Sequence, residues 1–180
     1  GGSGGGAPGR DIGNPGYSSG SNPVPNIGDY HGSGKWLTEA LTEAMSDAIG
    51  DAVDDGVPFF AYMSYYAVHS PFTKHPNKSF DDYGDGVDDT HRRFATMVAG
   101  VDDSLGQLRT YLDNLEPGVA ENTLIIFTGD NGSDSPALNN GRQIGSATFN
   151  DYPIRGKKAN CYEGGYHVPL FVAWAKADAT

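Results

Sequence analysis

The chain has 180 residues, enough for one domain with its own core. Its 12 basic and 23 acidic residues leave a net charge of −11, which repels phosphate backbones and anionic membrane surfaces and excludes general nucleic-acid binding. No apolar run approaches the ~20 residues of a membrane span, and the lone cysteine, Cys161, excludes both an intrachain disulfide framework and a cysteine-rich zinc site.

Residues 1–34 hold 12 of the 26 glycines, with Ser, Pro and Asn and almost nothing to bury. Such a tract cannot offset its ordering entropy by itself, so it reads as a Gly/Pro-rich loop segment that gains order by lying across a folded body. The first methionine is Met45, and the chain is therefore expected to be an internal piece of something longer. Residues 35–180 form the folded part.

From Trp36, the apolar residues Leu37, Ala40, Leu41, Ala44, Ala48, Ile49 and Ala52 recur at three- and four-residue steps, which predicts a helix over 36–54. Phe59-Phe60-Ala61-Tyr62-Met63-Ser64-Tyr65-Tyr66 is a nearly continuous apolar and aromatic run, and predicts a buried strand of the parallel type. It ends in Ala67-Val68-His69-Ser70-Pro71. The acidic stretch with Asp81, Asp82, Asp85, Asp88 and Asp89 lacks EF-hand spacing and reads as a solvated loop rather than a metal loop. A second helix follows over 89–115, carried by Phe94, Met97, Val98, Val101, Leu105, Leu108, Leu112 and Leu115 and stopped by Pro117-Gly118. Thr123 to Thr128 predicts another buried strand, residues 133–153 a long loop, and Val168 to Trp174 a third strand. The order points to an α/β layered fold whose mainly parallel sheet is flanked by helices.

In such sheets ligands gather beyond the carboxyl ends of the strands. His69 and the pair Asp130-Asn131 both follow strands. Asp130 and Asn131 offer a carboxylate and an amide oxygen suited to a hard cation, calcium or magnesium; the same Asp-Asn-Gly sequence also makes an ordinary turn. Gly129 and Gly132 are expected to let the backbone turn sharply there. His69 is either a general acid or a loop histidine. Arg155, Lys157 and Lys158 are a basic knot in an acidic chain, either an anion site or a solvated turn. Cys161 has little beside it to lower its pKa and reads as a small, semi-buried thiol rather than a nucleophile.

Three blocks, read together, resemble the type I sulfatases of the alkaline-phosphatase superfamily. Pro58 to Pro71 is similar to that family's strand ending in Ala-Val-His-x-Pro. Asn122 to Gly132 is similar to its Asn-Thr-x-x-x-Phe-Thr-x-Asp-Asn-Gly segment. Pro153 to Gly165 is similar to its Pro-Leu-Arg-Gly-Gly-Lys-Gly-x-x-Tyr-Glu-Gly-Gly block. Weaker similarity covers Tyr30 to Met45, and the glycine-rich front looks like a loop of bacterial members.

The resemblance implies an incomplete alkaline-phosphatase-like domain that hydrolyses sulfate monoesters with calcium and a formylglycine. By position, Asp130 and Asn131 would be calcium ligands, Lys158 would contact the sulfate, and His69 would contact the sulfate and leaving group, as proton donor. The natural substrate would be a sulfated carbohydrate or an aryl sulfate, and the location periplasmic or extracellular. A phosphodiesterase or phosphonate hydrolase of the same superfamily, or a non-catalytic acidic calcium-binding module, are the alternatives. The Cys/Ser-x-Pro/Ala-x-Arg pattern that yields formylglycine does not occur, nor do the family's N-terminal paired aspartates, so these are expected in a missing N-terminal part. Lys157 and Ala159 stand where the family has glycines, and His167 where an Arg is usual.

Overall fold

The computed structural model describes residues 30, 35–69, 72–83, 87–132, 158–159 and 161–176. The chain divides into two compact units, Gly1–Ala120 and Glu121–Thr180. The 1–34 segment, apart from Tyr30, lies outside the described residues, as do Asp85, Arg155, Lys157 and the 133–153 loop. No helix among the described residues is long and apolar enough to cross a membrane.

The first unit is built on two helices, α1 (Leu37–Asp54) and α2 (Asp89–Asp113), which pack together. Both follow the expected apolar period to within two residues at each end. The buried stripe of α1 is not purely apolar, however. Leu37, Ala40 and Ile49 share it with Thr38, Thr42 and Ser46. The hydroxyls of Thr42 and Ser46 are satisfied by donating to the carbonyls one turn back, Thr38 O at 2.8 Å and Thr42 O at 2.9 Å. Small polar side chains can then be buried without orphaned donors. Close helix approach needs small residues too. A Cβ on Gly50 would overlap the Tyr111 hydroxyl.

The start of α2 is fixed by Asp88. Its carboxylate accepts from the Thr90 amide at 2.8 Å and the His91 amide at 3.2 Å, which satisfies two of the helix's unpaired N–H groups. It also pairs with the His91 ring. Asp81 shares a local turn with Ser79. These two acidic residues thus shape the backbone, and no group of three metal-binding side chains occurs among the described residues.

The run 57–66 is extended but is not a strand. Strand identity needs a hydrogen-bonded neighbour, and among the described residues none pairs with it. Its expected burial is only partial: Phe60 is 94 % and Tyr62 81 % exposed, while Phe59, Met63, Tyr65 and Tyr66 are half-buried.

The second unit holds strands β1 (Leu124–Thr128) and β2 (Leu170–Trp174), with a single helical turn, α3 (Glu163–Tyr166), before β2. The pair is antiparallel, with Leu124 opposite Trp174 and Thr128 opposite Leu170. This corrects the parallel expectation for these two strands. An apolar run reads the same in either direction; direction is set by where the chain returns. Here Gly129 N donates to Pro169 O at 3.3 Å, so the end of β1 meets the start of β2. Phe127 and Phe171, directly opposed, bring their ring centroids to 6.2 Å.

Candidate active site

The Asp130-Asn131 pair sits on the loop leaving β1. Asp130 is exposed and Asn131 half-buried. The Asp130 carboxylate accepts from the Asn131 amide at 2.8 Å, and Asn131 Nδ2 donates to Gly132 O at 3.0 Å. With its amide nitrogen turned inward to the loop, Asn131 keeps Oδ1 on the other side as an oxygen donor.

Two backbone clamps hold this loop. Gly129 N is tied to Pro169 O, and Gly132 N donates to Gly165 O at 2.9 Å. The second approach is so close that a Cβ on Gly132 would overlap the Gly164 carbonyl and sit 2.9 Å from the Gly165 carbonyl carbon. A Cβ on Gly129 would lie 3.2 Å from Val168 Cβ. Neither glycine has a positive φ. Gly132 therefore serves the close approach of two backbones and Gly129 leaves room for the Val168 side chain, rather than the sharp turn expected from sequence. The Glu163-Gly164-Gly165 block supplies the other half of this contact, so two of the three resembling blocks meet in one structural unit. Glycines spaced in two distant motifs were the available signal; nothing in the sequence said that they face each other.

Lys158 is half-buried and starts a turn with Ala159, whose φ of 68° is the left-handed conformation. A glycine is favoured there, and a glycine is what the resembling block carries. Among the described residues neither Asp130 nor Asn131 bonds to Lys158. Cys161, expected semi-buried, is exposed.

His69 belongs to the first unit. It is exposed, and its amide donates to Tyr66 O at 2.9 Å, closing a turn after the aromatic run. The Ala67–Val68 peptide within that turn is cis. One position earlier than Tyr66, burial raises the Tyr65 phenol above its ordinary pKa, opposed by its hydrogen bond to Thr42. His75 is in the core of this unit at 2 % exposure. Its ring meets Trp36 edge-on at 5.3 Å and lies against Gly100.

The donor set at Asp130-Asn131 suits calcium in type, a carboxylate and an amide oxygen. In number it is short, since calcium takes ~6–8 oxygens. Calcium there would need oxygens beyond these two.

The chain belongs to the sulfatase family, whose model matches residues 5–180. It is 30 % identical over 115 residues to arylsulfatase J of Mus musculus, covering 64 % of this chain and 17 % of that protein. It is 31 % identical over 153 residues to a sulfatase of Formosa agariphila, covering 77 % of this chain and 25 % of the relative. The chain thus spans a quarter or less of the length of these curated relatives. Among solved structures it resembles Ps i-CgsB in complex with k-i-k-neocarrahexaose, with a TM-score of 0.63, 28 % identity, and coverage of 78 % of this chain and 28 % of that one. The fold it shares with that structure is the alkaline-phosphatase-like fold of sulfatases.

Proposed function

We propose that this chain forms part of a site that hydrolyses sulfate monoesters, with residues 35–180 as part of the catalytic domain. The observation that carries the reading is the family match over 5–180, which includes all four residues of the proposed site. Asp130 and Asn131 are the calcium ligands on this reading, and the double backbone clamp is what would keep their two oxygens in a fixed relation. Lys158 binds a sulfate oxygen as a point charge. His69, protonated, contacts the sulfate and gives its proton to the departing ester oxygen, so that the leaving group departs as a neutral alcohol or phenol. A bound calcium would neutralise charge on the sulfate oxygens, and a formylglycine, for which the 180 residues hold no motif, would supply the nucleophile.

The substrate is a sulfated carbohydrate or an aryl sulfate. N-acetylgalactosamine-6-O-sulfatase of Bacteroides thetaiotaomicron, 32 % identical over 124 residues, and the neocarrahexaose complex support the carbohydrate reading. An exported, periplasmic or extracellular setting follows from the same reading.

Turnover of a chromogenic aryl sulfate in calcium tests it. The 180-residue chain alone should give none. Expressed with its flanking coding sequence, the protein should turn the substrate over, and His69→Ala and Lys158→Ala should each lower kcat/KM by roughly 10²–10³. An unchanged kcat/KM in either variant removes that residue from the site, and a preference for phosphate diesters over sulfate esters would move the protein to the phosphoryl hydrolases.

A further inference from the structure

Among the described residues no strand pairs with the aromatic run before His69. Among the described residues, 58–65 make no backbone hydrogen bond. Two contacts fix its far end. Tyr66 packs on the buried pair Leu37 and Ala40 of α1. The Tyr65 hydroxyl lies 2.7 Å from Thr42 Oγ1, in a part-buried contact.

The direction of that bond can be deduced. A hydroxyl has one proton, and that of Thr42 goes to Thr38 O at 2.8 Å. Tyr65 must therefore be the donor and Thr42 the acceptor. The chain Tyr65 → Thr42 → Thr38 carbonyl runs from the aromatic segment into the backbone of α1. Each hydrogen bond in such a chain polarises the next. Three residues separate Tyr65 from His69, and the His69 amide is itself bonded back to Tyr66 O. His69 thus hangs from a short turn whose root is nailed to α1.

We infer that Thr42 and Tyr65 are positioning residues: their hydrogen bond anchors the Tyr66–His69 turn on α1 and so sets where the His69 imidazole is presented. The catalytic weight of this anchor rests on the role assigned to His69 above, which the turnover assay tests separately. The anchor itself can be tested on the chain without any substrate. Thr42→Ser keeps the acceptor, whereas Thr42→Val and Tyr65→Phe remove it or its donor at nearly constant volume.

Amide hydrogen exchange and NMR of the His69 ring are the readouts. In Tyr65→Phe and Thr42→Val the His69 amide should exchange roughly tenfold faster, while amides at Met97 and Val101 in α2 stay within about twofold of the parent. The His69 ring signals should shift in the same two variants, and Thr42→Ser should match the parent in both. The inference is overturned if Tyr65→Phe leaves the His69 amide and ring unchanged. It is equally overturned if Met97 and Val101 accelerate as much as His69, which would make the bond a general stabiliser rather than a local anchor.

Discussion

Ala159 shows how much one residue can depart from its family without losing the local backbone. Its φ of 68° places a Cβ where L-residues other than glycine cost ~1–2 kcal/mol. The turn next to Lys158 keeps the glycine conformation after losing the glycine. Ala159→Gly should therefore stabilise the second unit, less the extra chain entropy that glycine loses on folding, for a net gain of about 0.5–1 kcal/mol. A urea titration followed by Trp174 fluorescence should show the midpoint rising, and an unchanged midpoint would mean that the turn is not formed in solution. At this scale the sequence was half legible. Asp130, Asn131, Lys158 and His69 stood out by type and by motif, but the left-handed Ala159 could be noticed only beside the resembling block.

Between elements, His75 is the residue that the sequence hid. It looked like one polar residue among Lys74, Pro76, Asn77 and Lys78, yet it docks its loop between α1 and α2. Its amide donates to Thr96 Oγ1 at 3.0 Å, its Nδ1 accepts from the Asn77 amide at 3.3 Å, and its Nε2 faces Glu39 at 3.6 Å. Burial lowers its pKa below the ordinary value of 6.5, against an opposing pull from Glu39, with Lys78 and Lys74 lowering it further and Asp103 raising it. A histidine whose folded pKa is depressed stabilises in its neutral form. That stability is present above about pH 6.5, where the unfolded chain is neutral too, and is lost as pH falls through the lower folded value. The unfolding free energy of the first unit should accordingly fall on acidification below about pH 6.5. His75→Gln should flatten that slope in denaturant titrations at stepped pH; an equal slope in the variant would assign the acid sensitivity to other groups.

The helices themselves were legible because a 3.6-residue period survives in any context that buries one face. The strands were legible as segments but not in partner or direction. Continuous apolar runs predict burial on two faces, and the partner that supplies it is set by tertiary contacts.

At the level of the whole chain the two tryptophans report two environments. Trp36 is 5 % exposed in the first unit, and Trp174 is 56 % exposed at the end of β2. The β1–β2 ribbon exposes apolar side chains on both faces, Ile126, Leu170 and Val172 on one and Phe171 on the other, all more than half exposed. A two-stranded ribbon of this kind is marginal by itself. Acrylamide quenching should resolve an accessible and a protected emission. Trp174→Phe should remove the accessible one and Trp36→Phe the protected one; a single uniform class would contradict the described arrangement. The net charge of −11 is carried in part by residues with structural duties, Asp88 as the cap of α2 among them.

The sequence by itself determined the sulfatase family, the two long helices, the existence and limits of β1 and β2, and the identity of the candidate ligands and cations. All of these rest on residue type, period and motif, which are local properties of a chain. Tertiary structure alone decided that Gly132 has no room for a Cβ against the Gly164 backbone, that β1 and β2 run antiparallel, that His75 is core, and that Tyr65 is tied to Thr42. Each of these joins residues more than 20 positions apart, and no local pattern records which distant group a side chain will meet.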